Sequence, residues 1–414
     1  MTDDIEVGAR LRLEVGQVAH GGHCVARTEH GQVVFVRHAL PGETVVAHVT
    51  EAGARFLRAD AVEVLDPSVD RVEAPCQYAG PGRCGGCDFQ HVSLDGQRRL
   101  LAAVVSEQLQ RLAGLDLPVE VEPVPGDRDG LAWRSRVHYT ADAEGRLGLR
   151  RHRSHDVVAV DRCLIATDRL ADVPRHAWPG AASVEAITSG TGERLVVVEP
   201  AGRKMPRLPG VDLDSAVTTG GHRLRGRTYV TERALGWDWR VSGRGFWQVH
   251  PGAADTLADA VLTALDPQPG ERAVDLYSGV GLFSAALALA VGPSGAVLAV
   301  EGDDRAVKDS RRNLRDLPQV RIEGGPVARI LRSHPEPVDL VVLDPPRTGA
   351  RREVTLQVAA LRPRAIAYVA CDPAALARDV ATFATAGHQL TRVRAFHLFP
   401  MTHHVECVAL LTRV

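Results

Sequence analysis

Lysine is almost missing from this chain: only Lys204 and Lys308 occur, so the 49 basic residues are nearly all arginine. Against 51 Asp and Glu they leave a formal charge of −2. That balance excludes a global polycationic field, and any basic surface must be local. Arginine in place of lysine is also what a GC-rich genome produces, so its count carries no weight. No run of roughly 18 apolar residues exists to cross a membrane. The start, Met1-Thr2-Asp3-Asp4, is acidic where an export signal needs basic residues before an apolar stretch. A soluble, cytoplasmic monomer with no membrane partner is expected. Repeats and low-complexity segments are absent, and a 45% hydrophobic composition excludes a disordered tail or fibre. The seven cysteines are an odd number in a long chain, which argues against a disulfide framework and for metal or nucleophile chemistry.

At 414 residues the chain has room for two or three domains. Residues 1–65 alternate apolar and polar positions in short runs such as Val33-Val34-Phe35-Val36, punctuated by Gly21-Gly22, Gly31 and Pro41-Gly42. The pattern predicts a small β-barrel of the oligonucleotide-binding type. Residues 66–250 form a central, mostly β region. It opens with a cysteine-bearing stretch and one amphipathic helix over 93–113, whose apolar face is Leu94, Leu101, Val105, Leu109 and Leu112. This helix is expected to be able to pack on the catalytic part. From 251 to 414 the rhythm becomes alternating strands and helices, with strands over 273–277, 296–300, 338–343 and 365–370, and helices over 282–290 and 304–314. That is an α/β fold of the Rossmann-like kind with a mostly parallel sheet. Two late strands, 390–398 and 406–411, predict an antiparallel pair at its end.

Three loops in this last region carry chemistry. Asp275-Leu276-Tyr277-Ser278-Gly279-Val280-Gly281-Leu282-Phe283-Ser284 joins strand to helix, with Gly279 and Gly281 allowing a ligand close to the backbone. Glu301, twenty positions past Gly281, stands where a carboxylate grips ribose hydroxyls. A dinucleotide fingerprint needs a third glycine, but Ser284 holds that place. The loop therefore points to S-adenosylmethionine, with another nucleotide or a structural turn as alternatives. Asp344-Pro345-Pro346-Arg347 ends a buried strand at the carboxyl edge of the sheet, where such folds place their sites. Arg347 stands where methyltransferases acting on exocyclic amines carry an aromatic, which argues against an amine target. Cys371 follows a strand and precedes Asp372-Pro373 at a helix start, a setting that predicts a lowered thiol pKa and a nucleophile. Glu406 opens an otherwise apolar strand and is either a general base or a solvated edge carboxylate.

Together these residues resemble the RNA 5-methyluridine methyltransferase family, over nearly the whole chain. Gly245-Phe246-Trp247-Gln248-Val249-His250 resembles its Phe-x-Gln-x-Asn motif, and DLYSGVGLFS its cofactor loop. LDPPRTG and YVACDP resemble its catalytic strand ends, and PMTHHVECV its proton-abstracting motif. The resemblance implies methylation of carbon 5 of a uridine in RNA, ribosomal rather than transfer RNA. Cys371 would add to carbon 6 of a flipped-out uridine and Glu406 would remove the carbon 5 proton. Gln248, Tyr277, Gly279, Gly281, Glu301 and Asp344 would contact cofactor or target. A methyltransferase acting on a small molecule or protein is the alternative, and a non-catalytic RNA-binding protein a further one.

Cys76, Cys84 and Cys87, with Cys163 far downstream, resemble the iron–sulfur branch of the family. Their spacing alone fits zinc as well as a cluster. The resemblance implies a [4Fe–4S] cluster, and it makes residues 1–65 a TRAM domain, an RNA-binding barrel. The sequence departs from the family where Cys76 and Cys84 stand further apart than usual, where His250 replaces Asn, and where Pro326 follows the third strand in place of an acidic residue. Cys24 and Cys407 match no motif and are expected to be buried fillers.

Overall fold

In the computed structural model, which describes residues 5–414, the N-terminal barrel follows from strict alternation. The acidic start Met1-Thr2-Asp3-Asp4 lies outside the described residues. Six strands build the barrel: β1 (Arg10–Glu14), β2 (Val18–Ala19), β3 (His23–Arg27), β4 (Val33–Arg37), β5 (Thr44–Ala52) and β6 (Phe56–Asp66). They are ordered β1-β5-β6-β4-β3-β2, antiparallel except for β4 against β6. Along β5, Val45, Ala47 and Val49 are fully buried while the residues between them are not, the two-residue period of a half-buried strand.

After a stretch with little regular structure, α1 (Leu94–Ala113) begins where Ser93 Oγ accepts the Gly96 N–H at 3.1 Å, and it ends at Gly114 with φ 69°. Leu101, Val105 and Leu109 are buried in the core of the C-terminal sheet, and Val104 in that of the barrel. The expected stripe is broken at Leu112, which is 39% exposed, while Ala113 beside it packs against the core of the C-terminal sheet.

The central region starts with the short β7 (Val121–Glu122). Seven strands then form one sheet: β8 (Arg136–Ala141), β9 (Leu147–Arg150), β10 (Val157–Ala159), β11 (Ala181–Thr188), β12 (Arg194–Pro200), β13 (Ser215–Thr218) and β14 (Arg223–Arg225). A hairpin follows, β15 (Tyr229–Ala234) and β16 (Trp237–Ser242). One face of the seven-stranded sheet packs its own core around Tyr139, Trp178 and Val184. Ile187, Leu195, Val197 and Val217 join the core of the following α/β part instead. Position 250 is thus a change of architecture but not a break in packing.

The remaining elements are α2 (Ala253–Leu265), β17 (Arg272–Leu276), α3 (Leu282–Val291), β18 (Ala296–Glu301), α4 (Asp304–Asn313), β19 (Val320–Gly324) and α5 (Val327–Ser333). They continue as β20 (Leu340–Leu343), α6 (Arg351–Ala360), β21 (Ala365–Ala370), α7 (Pro373–Thr385), β22 (His388–Phe396) and β23 (Glu406–Arg413). The sheet order is β19-β18-β17-β20-β21-β23-β22-β7, parallel through β21. β23 is inserted antiparallel between β21 and β22. Every residue of β20 and β21 is buried, as required of parallel strands covered by helices on both faces. This is the Rossmann-like methyltransferase architecture. Among the described residues no helix is long and apolar enough to cross a membrane.

Candidate active site

The cofactor loop is shaped by two glycines and a carboxylate. Tyr277, Gly279 and Gly281 all take positive φ, at 63°, 55° and 102°. A Cβ on Gly281 would stand 2.7 Å from Leu314 Cδ1, so no other residue fits where α3 starts. Glu301 Oε2 accepts the Gly279 N–H at 2.8 Å and Oε1 the Asp303 N–H at 2.7 Å. Each oxygen keeps a second acceptor position for a ligand hydroxyl. Asp275 is fully buried beneath the loop, and Ser284, in the place of the missing third glycine, donates its hydroxyl to Asp275 Oδ2 at 2.5 Å. Asp275 Oδ1, Ser278 Oγ and Ser310 Oγ are buried without a partner. Unpaired buried polar atoms beside a glycine loop are what a site shaped for a polar ligand leaves behind, and they fit an adenosyl group.

Burial, then Asp344 and Glu301, pushes the Asp275 carboxyl up to about 7 despite the Ser284 hydrogen bond. Asp275 is thus electrostatically joined to the neighbouring strand end. There Asp344 leaves β20, Cys371 leaves β21 and Glu406 opens β23. Because β23 runs antiparallel, it starts at the edge where the parallel strands end. The ladder pairs Ala370 with Cys407, so one step further Cys371 stands opposite Glu406.

Glu406 is 4% exposed, which excludes a solvated edge carboxylate. Burial and then Asp344 hold its carboxyl well above the usual range, against the pull of Arg347. Burial raises Asp344 to about 7. The Cys371 thiol is raised to about 12, by burial first and then by Glu406 and Asp344, with Arg347 opposing. This corrects the lowered pKa expected from the helix start. The first turn of α7 is already capped by Asp372, whose Oδ1 accepts the Ala375 N–H at 2.8 Å. Burial, and after it the two site carboxylates and the capping charge, outweigh the helix dipole.

Gln248 is half-buried on the segment that follows β16. That segment is held to the central sheet, since Ser135 N donates to the Val249 carbonyl at 2.9 Å and Arg136 Nη1 to the Gly245 carbonyl at 2.7 Å. Phe246 beside it is 67% exposed. His250 is buried, and its Nδ1 accepts the Gly252 N–H at 3.2 Å.

Cys76, Cys84, Cys87 and Cys163 are free thiols lining one cavity, with Tyr78, Val137 and Ile165 among the other walls. Gly85 leaves no room for a side chain, because a Cβ there would lie 2.4 Å from His152 N. Burial pushes the Cys84 thiol up to about 11 and raises Cys87 and Cys163 as well. Among the described residues, no three His, Cys, Asp or Glu side chains are disposed to hold a single metal ion. Cys24 and Cys407 are buried elsewhere.

Sequence reasoning missed a polar chain that ties the cysteine loop to the sheet edge where Asp344, Cys371 and Glu406 meet. Arg37 Nη2 lies 3.2 Å from Asp88 Oδ1, and Asp88 Oδ2 lies 2.6 Å from His403 Nδ1. The His403 and His404 rings are 4.1 Å apart, and His404 Nε2 is 3.3 Å from Arg347 Nη2. Gln97 on α1 accepts the Met401 N–H at 2.8 Å. Asp88 and His403 are 315 positions apart, so no local signal announces the contact.

Two family models match the chain: TRAM domain over residues 5–62 and tRNA (Uracil-5-)-methyltransferase over residues 334–414. An uncharacterized RNA methyltransferase of Streptomyces coelicolor is 54% identical, covering 98% of this chain and 93% of that protein. The 23S rRNA (uracil(1939)-C(5))-methyltransferase RlmD of Chromohalobacter salexigens is 34% identical, covering 97% of this chain and 89% of its own length. Among solved structures, Pyrococcus abyssi tRNA (uracil-54, C5)-methyltransferase, in complex with S-adenosyl-L-homocysteine, superposes with a TM-score of 0.75. Its identity is 21% over 97% of this chain and 100% of that one, a likeness of fold. With a TRAM domain at its N-terminus and a methyltransferase fold carrying the matched motifs, the chain belongs to the RNA (uracil-5-)-methyltransferase family.

Proposed function

We propose that this protein methylates carbon 5 of a uridine in RNA, with S-adenosylmethionine as methyl donor, and that the target lies in ribosomal RNA. The observation that carries the reading is the convergence of Cys371, Glu406 and Asp344 at one sheet edge, electrostatically joined to the glycine loop through Asp275. Ribosomal RNA is favoured by relatives at 34% and 32% identity named as 23S rRNA enzymes, which are matched over most of their length.

Carbon 5 of uracil is too weak a nucleophile to be methylated unaided. Cys371 gives up its thiol proton to solvent as the flipped base docks, and the thiolate adds to carbon 6, which makes carbon 5 enolate-like and able to take the methyl group. The cofactor supplies that methyl as an electrophilic sulfonium substituent. Glu406 then removes the carbon 5 proton, after which the Cys371 thiolate is expelled and the base is released. Glu406 must be ionised when carbon 5 carries both the methyl group and the proton; once ionised, a carboxylate whose burial raises its pKa is a stronger base than a solvated one. Glu301 is assigned to the ribose hydroxyls, with Tyr277, Gly279 and Gly281 shaping the cofactor pocket. Gln248 and Asp344 are assigned to cofactor and target contacts.

The four cysteines are assigned to a [4Fe–4S] cluster. Four free thiols lining one cavity suit the ligand set of a cluster.

Mass mapping of 5-methyluridine in ribosomal and transfer RNA from a deletion strain, with and without the restored gene, tests the assignment. Loss of one ribosomal 5-methyluridine is expected. Unchanged RNA, with radiolabel from the cofactor passing into protein or small molecules, would overturn it.

A further inference from the structure

The tip of the barrel hairpin between β2 and β3 is seated against the catalytic edge. Gly21 and Gly22 take φ of 101° and 77°, and a Cβ on Gly22 would lie 2.7 Å from His403 Cβ and 3.1 Å from Asp88 Cβ. The tip therefore touches the loop that leads into β23. Two residues earlier in the same turn, His20 Nε2 lies 3.2 Å from Asp372 Oδ2.

Asp372 is engaged on both oxygens, by the barrel through Oδ2 and by the first turn of α7 through Oδ1. It follows Cys371 directly in the chain, and Pro373 stiffens the backbone on its other side. A pair this exposed, with His20 at 39% and Asp372 at 22%, adds little to global stability. Its effect is local. Glu406, Asp344 and Asp372 all face the thiol and oppose its ionisation, with Arg347 favouring it. Although burial pushes the Asp372 carboxyl up, the bonds from His20 and from the Ala375 amide hold it below the usual range, with Arg378 also nearby.

We propose that His20 is a positioning residue of the methyl-transfer site: from the barrel, with its Nε2 3.2 Å from Oδ2, it holds the Asp372 carboxylate in place beside the Cys371 thiol. The TRAM domain then completes the active site as well as meeting RNA, and the thiol reaches full reactivity only with the barrel docked. This rests on Cys371 being the nucleophile.

The test is the pH profile of Cys371 alkylation by iodoacetamide in the intact protein, read by peptide mass mapping. It is combined with kcat and KM for RNA, and with melting curves to confirm folding. His20→Ala leaves the Asp372 charge unmet, so the profile should move to higher pH by about half a unit, roughly threefold slower alkylation at neutral pH. The kcat should fall with KM for RNA unchanged, and His20→Gln, which can still donate to the carboxylate, should recover part of the loss. In an Asp372→Asn background, where an amide can still cap the helix, His20→Ala should have no further effect. An unchanged alkylation profile, a loss confined to KM, or an equal His20→Ala effect without the Asp372 charge would each overturn the proposal. Methylation by Cys371→Ala would instead sink the nucleophile reading, whatever the His20 profile shows.

Discussion

Cys371 and Glu406 lie on different strands but face each other across one ladder, one step beyond the Ala370–Cys407 pair. A proposed nucleophile and a proposed base are thereby set by a single register. A one-residue slip of β23 would turn Glu406 to the other face of the sheet. Burial first, and then the facing Glu406, oppose ionisation of the Cys371 thiol.

Replacing Cys371 by Ala should abolish methylation, by at least about a thousandfold, while leaving S-adenosylhomocysteine binding within about twofold, since the thiol is assigned to the base. Titration calorimetry and RNA methyl-transfer assays read the two properties separately. Activity near the wild-type level would rule out a covalent route through Cys371.

Glu406→Gln should still permit addition and methyl transfer but block removal of the carbon 5 proton. The protein should then accumulate as a covalent adduct with methylated RNA, visible as a slow, nuclease-sensitive band on denaturing gels. Normal turnover by this variant would place the base elsewhere.

The three raised site carboxyls work against stability as pH rises. Asp275 and Asp344 are raised to about 7 and Glu406 well above its ordinary value, so the folded protein holds protons that the unfolded chain releases. The contribution is fully present below the unfolded carboxyl pKa, near 4, and is lost as pH climbs to about 7 and beyond. Glu406→Gln removes one such group and should gain about 1–3 kcal/mol over wild type at pH 8, with little gain at pH 4. Urea unfolding at both pH values reads the difference, and a variant no more stable at pH 8 than wild type would contradict the raised carboxyl.

Ser284→Ala should destabilise the protein by about 1–3 kcal/mol, because it takes a hydroxyl donor from a buried carboxylate whose other oxygen is already unpaired. S-adenosylhomocysteine should also bind more weakly, as Asp275 underlies the cofactor loop. Chemical denaturation with and without the ligand measures both, and a fully stable variant would show that Asp275 is held neutral without Ser284.

Strand ends were legible because β20 and β21 are continuous apolar runs that exit into Asp344-Pro345 and Cys371-Asp372, so a change of composition marks the sheet edge. The antiparallel β22 and β23 were legible as two β segments close together across a short link, although β22 is largely polar. The partners of those ends were not. His20 meets Asp372, and Asp88 meets His403, only because the barrel and the cysteine loop dock on the catalytic edge. The helix start alone pointed to a lowered Cys371 thiol; folding buries the thiol and then gathers carboxylates around it, and both raise it. Helices α5 and α6 escaped notice: α5 is only seven residues long, and α6 buries just four of its ten.

Anaerobically purified protein should be brown, with a broad absorbance near about 400 nm and about four irons per chain, if Cys76, Cys84, Cys87 and Cys163 ligate a cluster. Cys163 comes from the β-rich central region and the other three from the loop before α1, so a cluster would join two segments that share few other bonds. One is the hydrogen bond from Tyr78 to Asp161 at 2.7 Å. Cys163→Ser should therefore lose iron and thermal stability together, because metal binding is coupled to the folding of the segments it ties. The same loop carries Asp88 and, through it, His403, so the variant should also lose activity in proportion to iron, with Cys371 untouched. Iron analysis, melting curves and methyl-transfer rates on the same samples separate the two effects. A colourless protein with one stoichiometric zinc would overturn the cluster while leaving the proposed chemistry of Cys371 and Glu406 standing, since neither residue lines that cavity.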